Sequence, residues 1–192
     1  MSKKVGLLGG SFNPAHDGHI DISITALKHL GLDEVWWLVS PHNPLKNISK
    51  IAPISHRLNQ ATTLCKGYPI IVKDVESALH TPYTYDVLVH LKQSFKDIQF
   101  VWLMGADNFI HFDKWYKWRA IPNIVPIALF NRPDYKSDAL QSVASGHMQG
   151  SRTTKASDLF EKSLPQWIYI ESTNNPQSAT TIRQKCNEKW WK

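Results

Sequence analysis

Short apolar runs alternate with helical periodicity along most of this chain, and that alternation restricts the fold more than any other feature. Val5 to Leu8 is an apolar run closed by Gly9 and Gly10, which reads as a buried strand ending in a turn. Ile20, Ile24 and Leu27 then recur at helical spacing, and Gly31 is placed to cap that helix just beyond Leu30. Glu34 to Val39 is apolar almost throughout, as a parallel strand buried on both faces must be. The pattern continues with a helix over Ile54 to Lys66, a strand over Ile70 to Val75 and a helix over Tyr83 to Phe95. Strands follow over Ile98 to Met104, Ile124 to Phe130 and Trp167 to Glu171, then a last helix from about Ser178. Ser40 to Pro53 has no periodicity and reads as an exposed loop at a strand end, while Asp134 to Ser163 is polar and weakly patterned. Repeated βα units with short links predict an α/β fold, a Rossmann-like doubly wound and mostly parallel sheet with helices on both faces. Its ligands should collect at the carboxyl ends of the strands.

A chain of 192 residues fits a single domain, 1–192, with a core large enough to need neither disulfides nor a structural metal. Cys65 and Cys186 stand far apart and outside any paired ligand spacing, so both read as packing residues in a reducing compartment. The start of the chain lacks the apolar core of a signal peptide, and no run approaches the ~20 apolar residues of a membrane span. A cytoplasmic protein without membrane contact is expected, its self-association left open. Against 16 acidic residues stand 22 basic ones, a formal charge of +6 that attracts anions. The basic residues are scattered rather than gathered in a stripe, which argues against nucleic acid as the partner. A nucleic-acid-binding domain is nonetheless the rival from another class, and tight, salt-sensitive DNA or RNA binding would favour it.

The densest chemistry comes after the first strand, in GGSFNPAHDGH from Gly9 to His19. Gly9 and Gly10 let backbone approach an anion closely, and the helix start near Gly18 offers unpaired N–H groups and a partial positive charge. The block is neither a G-x-G-x-x-G fingerprint nor a Walker A loop. His16 and His19, three residues apart at a helix start, bring two rings to one side of a pocket, where both can donate to phosphate oxygens. No third ligand stands nearby at zinc spacing, so no metal site is assigned. Near the C-terminus SATTIR, Ser178 to Arg183, opens a helix with hydroxyls at Ser178, Thr180 and Thr181 and a guanidinium one turn in, suited to caps or to phosphate.

The first block resembles the H-x-G-H signature of the nucleotidyltransferase superfamily, and SATTIR is similar to its second motif, I-S-S-T-x-I-R, with Gln177 and Ala179 as departures. NPLK, Asn43 to Lys46, is similar to the proline-rich loop whose lysine reaches the phosphates, in a shorter form with Leu45. PYTYD (Pro82 to Asp86), GADN (Gly105 to Asn108) and WYKW (Trp115 to Trp118) together resemble the bacterial nicotinate-nucleotide adenylyltransferases over most of the chain outside Asp134 to Ser163.

The resemblance implies a reaction and a set of roles. The family transfers AMP from ATP to nicotinate mononucleotide, giving deamido-NAD and pyrophosphate, with Mg²⁺ held mainly by the ATP phosphates. His16, His19, Lys46 and Arg183 are then the catalytic candidates. Gly9, Gly10, Ser11, Phe12, His16, His19, Ser178, Thr180 and Arg183 would bind ATP. Asn13, Lys46, Thr84, Gly105, Ala106, Asp107 and Trp115 would bind the acceptor, with Trp115 stacked on its pyridine ring; Trp118, in the same partly exposed segment, offers by its residue type a second flat face. The family reads the acid mostly through backbone amides, so nicotinamide mononucleotide and phosphopantetheine remain as alternative acceptors.

Overall fold

The structure, a computed structural model, describes residues 2–41, 51–171, 175, 177–186 and 190. Seven parallel strands form one sheet: β1 (Lys3–Gly10), β2 (Glu34–Val39), β3 (Ile70–Lys73), β4 (Ile98–Gly105), β5 (Ile127–Phe130), β6 (Arg152–Thr153) and β7 (Trp167–Ile170). Their order is β3-β2-β1-β4-β5-β7-β6. Parallel neighbours need crossovers, and helices supply them. These are α1 (Asp17–Leu30), α2 (Ile54–Leu64), α3 (Val75–Leu79), α4 (Thr84–Ser94), α5 (Ala106–Phe109), α6 (Lys136–Leu140), α7 (Val143–His147) and α8 (Asp158–Glu161), with α9 (Ala179–Lys185) coming after the last strand.

Successive strand residues point to opposite faces, which divides the core in two. Leu7, Trp36, Leu38, Trp102 and Met104 pack with Val87, Leu88 and Leu91 of α4 on one face. Leu8, Val35, Trp37, Val101 and Leu103 pack with Ile20, Ile22 and Ala26 of α1 and Ala61 of α2 on the other. Coverage of both faces is the reason the strands read as unbroken apolar runs. The chain lays β2 and β3 to one side of β1, then returns to lay β4 and its successors on the other. That reversal opens a crevice at the carboxyl ends of β1 and β4, where an α/β sheet of this kind takes its ligand.

Several boundaries differ from the sequence expectation, each for a local reason. The third strand stops at Lys73 rather than Val75, because Asp74 caps α3 by accepting from the Ser77 N–H at 3.3 Å. The strand expected from Ile124 begins at Ile127, after a proline-bearing 3-10 turn over Ile121–Asn123. On α1 the fully buried line runs through Ile20, Ser23, Ala26 and Leu30, while Ile24 and Leu27 are only partly covered. Ser23 belongs inside because its hydroxyl donates to the His19 carbonyl and accepts from the Trp37 indole, both at 2.8 Å. The weakly patterned stretch Asp134 to Ser163 is folded, into α6, α7, the edge strand β6 and α8. None of these elements exceeds five residues, too short for periodicity to register.

Candidate active site

The loop between β1 and α1 is built on buried aromatic support. A Cβ at Gly9 would run into the ring of Trp102, so close backbone approach there requires glycine. Phe12 turns the chain with φ 44°, is 2 % exposed and stacks on Trp37 at 4.8 Å. Its ring borders the cavity but is otherwise core, holding the loop from beneath. His16 occupies the N-cap of α1, and the His19 ring lies against it with centroids 3.9 Å apart. The His16 N–H donates to His19 Nδ1 at 3.2 Å, which assigns the His19 proton to Nε2. Burial first, and the Arg132 guanidinium second, push the His16 pKa down to about 4. His16 therefore meets an incoming anion as a neutral donor, and an anion's charge would draw its proton affinity upward.

Arg57 of α2 fixes this loop to its neighbour. Fully buried, it donates to the Ser11 and Ser40 carbonyls at 2.6 Å each, to Ala52 O at 2.9 Å and to Pro41 O at 3.0 Å. One planar guanidinium thus ties the ends of β1 and β2 to the entry of α2. Ser40 Oγ donates to Glu76 Oε2 at 2.5 Å, and burial pushes the Glu76 carboxyl up to about 7. Gln60 brackets Ala15 with bonds to its N–H and carbonyl at 3.0 and 3.1 Å.

Opposite the histidines stands α9. Ser178 is its N-cap, accepting from the Thr181 N–H at 3.1 Å, so its hydroxyl serves as a cap as well as facing the cavity. Arg183 donates to the Asn13 carbonyl at 2.6 Å and to Thr180 Oγ1 at 3.1 Å, spanning the two motifs. Arg132, just past β5, donates to Gln177 O at 2.8 Å and approaches Asp107 Oδ1 at 3.5 Å. The second motif is thereby held to the sheet through polar contacts.

Both walls line one cavity of about 550 Å³ that runs from the first loop to α4 and the turn after β4. It gathers Gly9, Gly10, Ser11, Phe12, Asn13, His16 and His19 with Ser178, Thr180 and Arg183, and at its far end Thr84, Gly105, Asp107 and Trp115. Trp115 is half-buried, its ring edge-on to Trp102 at 6.2 Å and to Phe112 at 5.4 Å. Two expectations need correction. Ala106 is fully buried in the core and does not border the cavity, so it can contribute only backbone. Trp118 is 7 % exposed and packs on Phe112 and His147, so it is a core residue rather than an open stacking face. Lys46, with the rest of the NPLK stretch, lies outside the described residues.

The structure adds cavity-lining residues that the sequence did not single out: Arg132, Glu76, Ser40 and Trp102. Arg132 stands two residues past a strand end, a position that by itself could have flagged it. Nothing in the local sequence marks Arg57 as buried. Four buried side-chain polar atoms lack a hydrogen-bond partner among the described residues: Ser11 Oγ, His16 Nδ1, Trp102 Nε1 and Asp107 Oδ1. All four belong to residues lining this cavity, the distribution expected of walls that take a polar ligand. Among the described residues no three His, Cys, Asp or Glu side chains converge as a metal-holding group, and no helix is long and apolar enough to cross a membrane.

A nucleotide-sized crevice at the reversal of a parallel sheet, with a histidine-bearing loop on one rim, defines a class, and sequence comparison agrees: the chain belongs to the cytidylyltransferase-like family, whose profile matches residues 7–185. Within that class it is similar to proteins named as nicotinate-nucleotide adenylyltransferases. It is 44% identical over 184 residues, 95% of this chain and 92% of the relative, to a protein of Parvibaculum lavamentivorans named "Probable nicotinate-nucleotide adenylyltransferase". A Brucella abortus protein of the same name is 38% identical over 182 residues, 94% of each chain. Among solved structures, the Plasmodium falciparum nicotinic acid mononucleotide adenylyltransferase complexed with NaAD superposes with a TM-score of 0.72 at 18% identity, covering 95% of this chain and 83% of that one. At that identity the superposition speaks for the fold.

Proposed function

We propose that this chain is a cytoplasmic nicotinate-nucleotide adenylyltransferase, in which residues 1–192 act as one catalytic domain. The observation that carries the reading is the cavity's two-ended chemistry. The histidine loop and α9 face each other across one end, and Trp115, Thr84, Gly105 and Asp107 form the other. A triphosphate fits the first set and a flat, anionic mononucleotide the second. The relatives named "Probable nicotinate-nucleotide adenylyltransferase" match nearly the whole chain.

The acceptor's phosphate is already anionic, so no group need activate the nucleophile. One of its oxygens attacks the α-phosphorus of ATP in line. A bond forms from that oxygen to phosphorus, the bond to the β-phosphate bridging oxygen breaks, and pyrophosphate leaves. This chain's residues position and neutralise. His19, its Nε2 proton fixed by the His16 N–H, donates to the phosphates as negative charge shifts. His16 donates beside it, and Arg183 and Arg132 balance charge from the facing wall. Gly9 and Gly10 admit the nucleotide close to the sheet, with Ser11, Phe12, Ser178 and Thr180 around it. Lys46 is assigned to the phosphates by its resemblance to the family's loop lysine alone, and Asn13, Thr84, Gly105, the Ala106 backbone, Asp107 and Trp115 hold the acceptor. Mg²⁺ carried on the triphosphate would supply charge neutralisation there. Pyrophosphate release should be measured with ATP and, side by side, nicotinate mononucleotide, nicotinamide mononucleotide and phosphopantetheine. Turnover confined to the first supports the assignment, and a preference for either of the others replaces it.

A further inference from the structure

We propose that Trp190 is a positioning residue that straps the end of the chain onto the first loop and fixes the amide of Asn13. The inference rests on the adenylyl-transfer reading of the cavity, which Asn13 lines. Trp190 Nε1 donates to Asn13 Oδ1 at 3.0 Å, and the Ala52 N–H donates to the same oxygen at 3.1 Å. A carbonyl oxygen has two lone pairs, and these donors engage both. The amide is thereby oriented. From the other side Arg183 donates to the Asn13 backbone carbonyl at 2.6 Å. The Trp190 ring also stands edge-on to His56 of α2 at 5.2 Å. Asn13 is thus the junction of three segments: the loop after β1, the entry of α2 through Ala52, and the end of the chain through Arg183 and Trp190. Trp190 reaches past α9 to the loop on which the nucleotide would rest.

A residue held at three points, two on its side-chain oxygen and one on its backbone carbonyl, costs no further ordering when substrate binds, and loss of one hold should therefore appear in affinity rather than in the chemical step. Trp190→Phe keeps the ring against His56 and removes only the donor. In steady-state assays its KM for nicotinate mononucleotide should rise about fivefold with kcat changed by less than about twofold, the scale of one neutral hydrogen bond. In an Asn13→Ala background the same substitution should change KM no further, since the accepting oxygen is gone. Hydrogen–deuterium exchange on the unliganded chain gives a second readout, with Trp190→Phe speeding exchange in the first loop and at Ala52 but not in β4 or α4. Unchanged loop exchange overturns the strap. So does faster exchange with an unaltered KM, or an equal KM rise in the Asn13→Ala background, because each leaves Trp190 as surface packing. If the wild-type chain turns over but Trp190→Phe matches it in every readout, the strap alone fails. If the wild-type chain does not turn over, the activity fails and the exchange comparison still decides the strap.

Discussion

The two sides of the cavity are built differently. The histidine side is the N-terminus of a 14-residue helix with six buried residues, and its loop is pinned by Arg57, Gln60 and a stack of Phe12 on Trp37. The facing helix, α9, has seven residues, none of them buried, and is tied down by its Ser178 cap and by polar contacts from Arg132 and Arg183. Helices with no apolar face draw little stability from packing, so one side is prebuilt and the other is held by contacts that a ligand can rearrange. Preorganised donors act on the transition state, whereas contacts completed by the ligand act mainly on binding.

The largest test of this contrast is His19→Ala. Removing a preorganised donor from the rigid side should lower kcat by ~10²–10³ with little change in KM for ATP, measured by pyrophosphate release at saturating substrates. Near-normal turnover would remove His19 from the reaction. Arg183→Ala tests the other side and should fall mostly on KM for ATP, by about 10–100-fold, as expected for losing a charge-assisted hydrogen bond. A fall in kcat as large as that of His19→Ala, with KM unmoved, would make the two sides equivalent and break the comparison. Smaller again is Trp115→Ala at the acceptor end. An aromatic contact of ~1 kcal/mol corresponds to about a fivefold rise in the acceptor's KM, with the KM for ATP as internal control.

The same contrast explains what the sequence could and could not disclose. The strands were legible because burial on both faces leaves no polar alternation, as in Trp36–Val39. The histidine loop was legible because its glycines, its histidines and the helix it starts lie in one continuous stretch. Arg57 and Glu76 were not. Each gains its role from partners on other segments, Ser11 and Ser40 for the one and Ser40 for the other, and no spacing within α2 or α3 encodes that. Trp102 lies within a strand that the sequence disclosed and is 3 % exposed, yet its indole also closes the cavity beneath Gly9, which no strand pattern reveals. Trp118 shows the opposite failure, since a polar-looking neighbourhood, Lys117 and Arg119, hid a side chain packed on Phe112.

The smallest effect concerns pH, and it belongs to the prebuilt side. Burial gives His16 a folded pKa of about 4, against 6.5 for an ordinary histidine. The unfolded chain takes up that proton as pH falls through 6.5 while the fold refuses it until about 4, so stability declines on acidification across that window. Glu76 has the opposite sign: the fold keeps its proton up to about 7, whereas an ordinary glutamate releases it near 4.5. Stability from this group therefore declines as pH rises from 4.5 to 7. Between 4.5 and 6.5 the two slopes oppose each other. Glu76→Gln removes one of them. Its stability relative to wild type, from urea midpoints at about pH 5 and about pH 8, should become more favourable at the higher pH by on the order of 1 kcal/mol. A difference between variant and wild type that does not change with pH would mean that Glu76 is already ionised across the range, and that Arg57 compensates its burial more fully than the packing around it indicates.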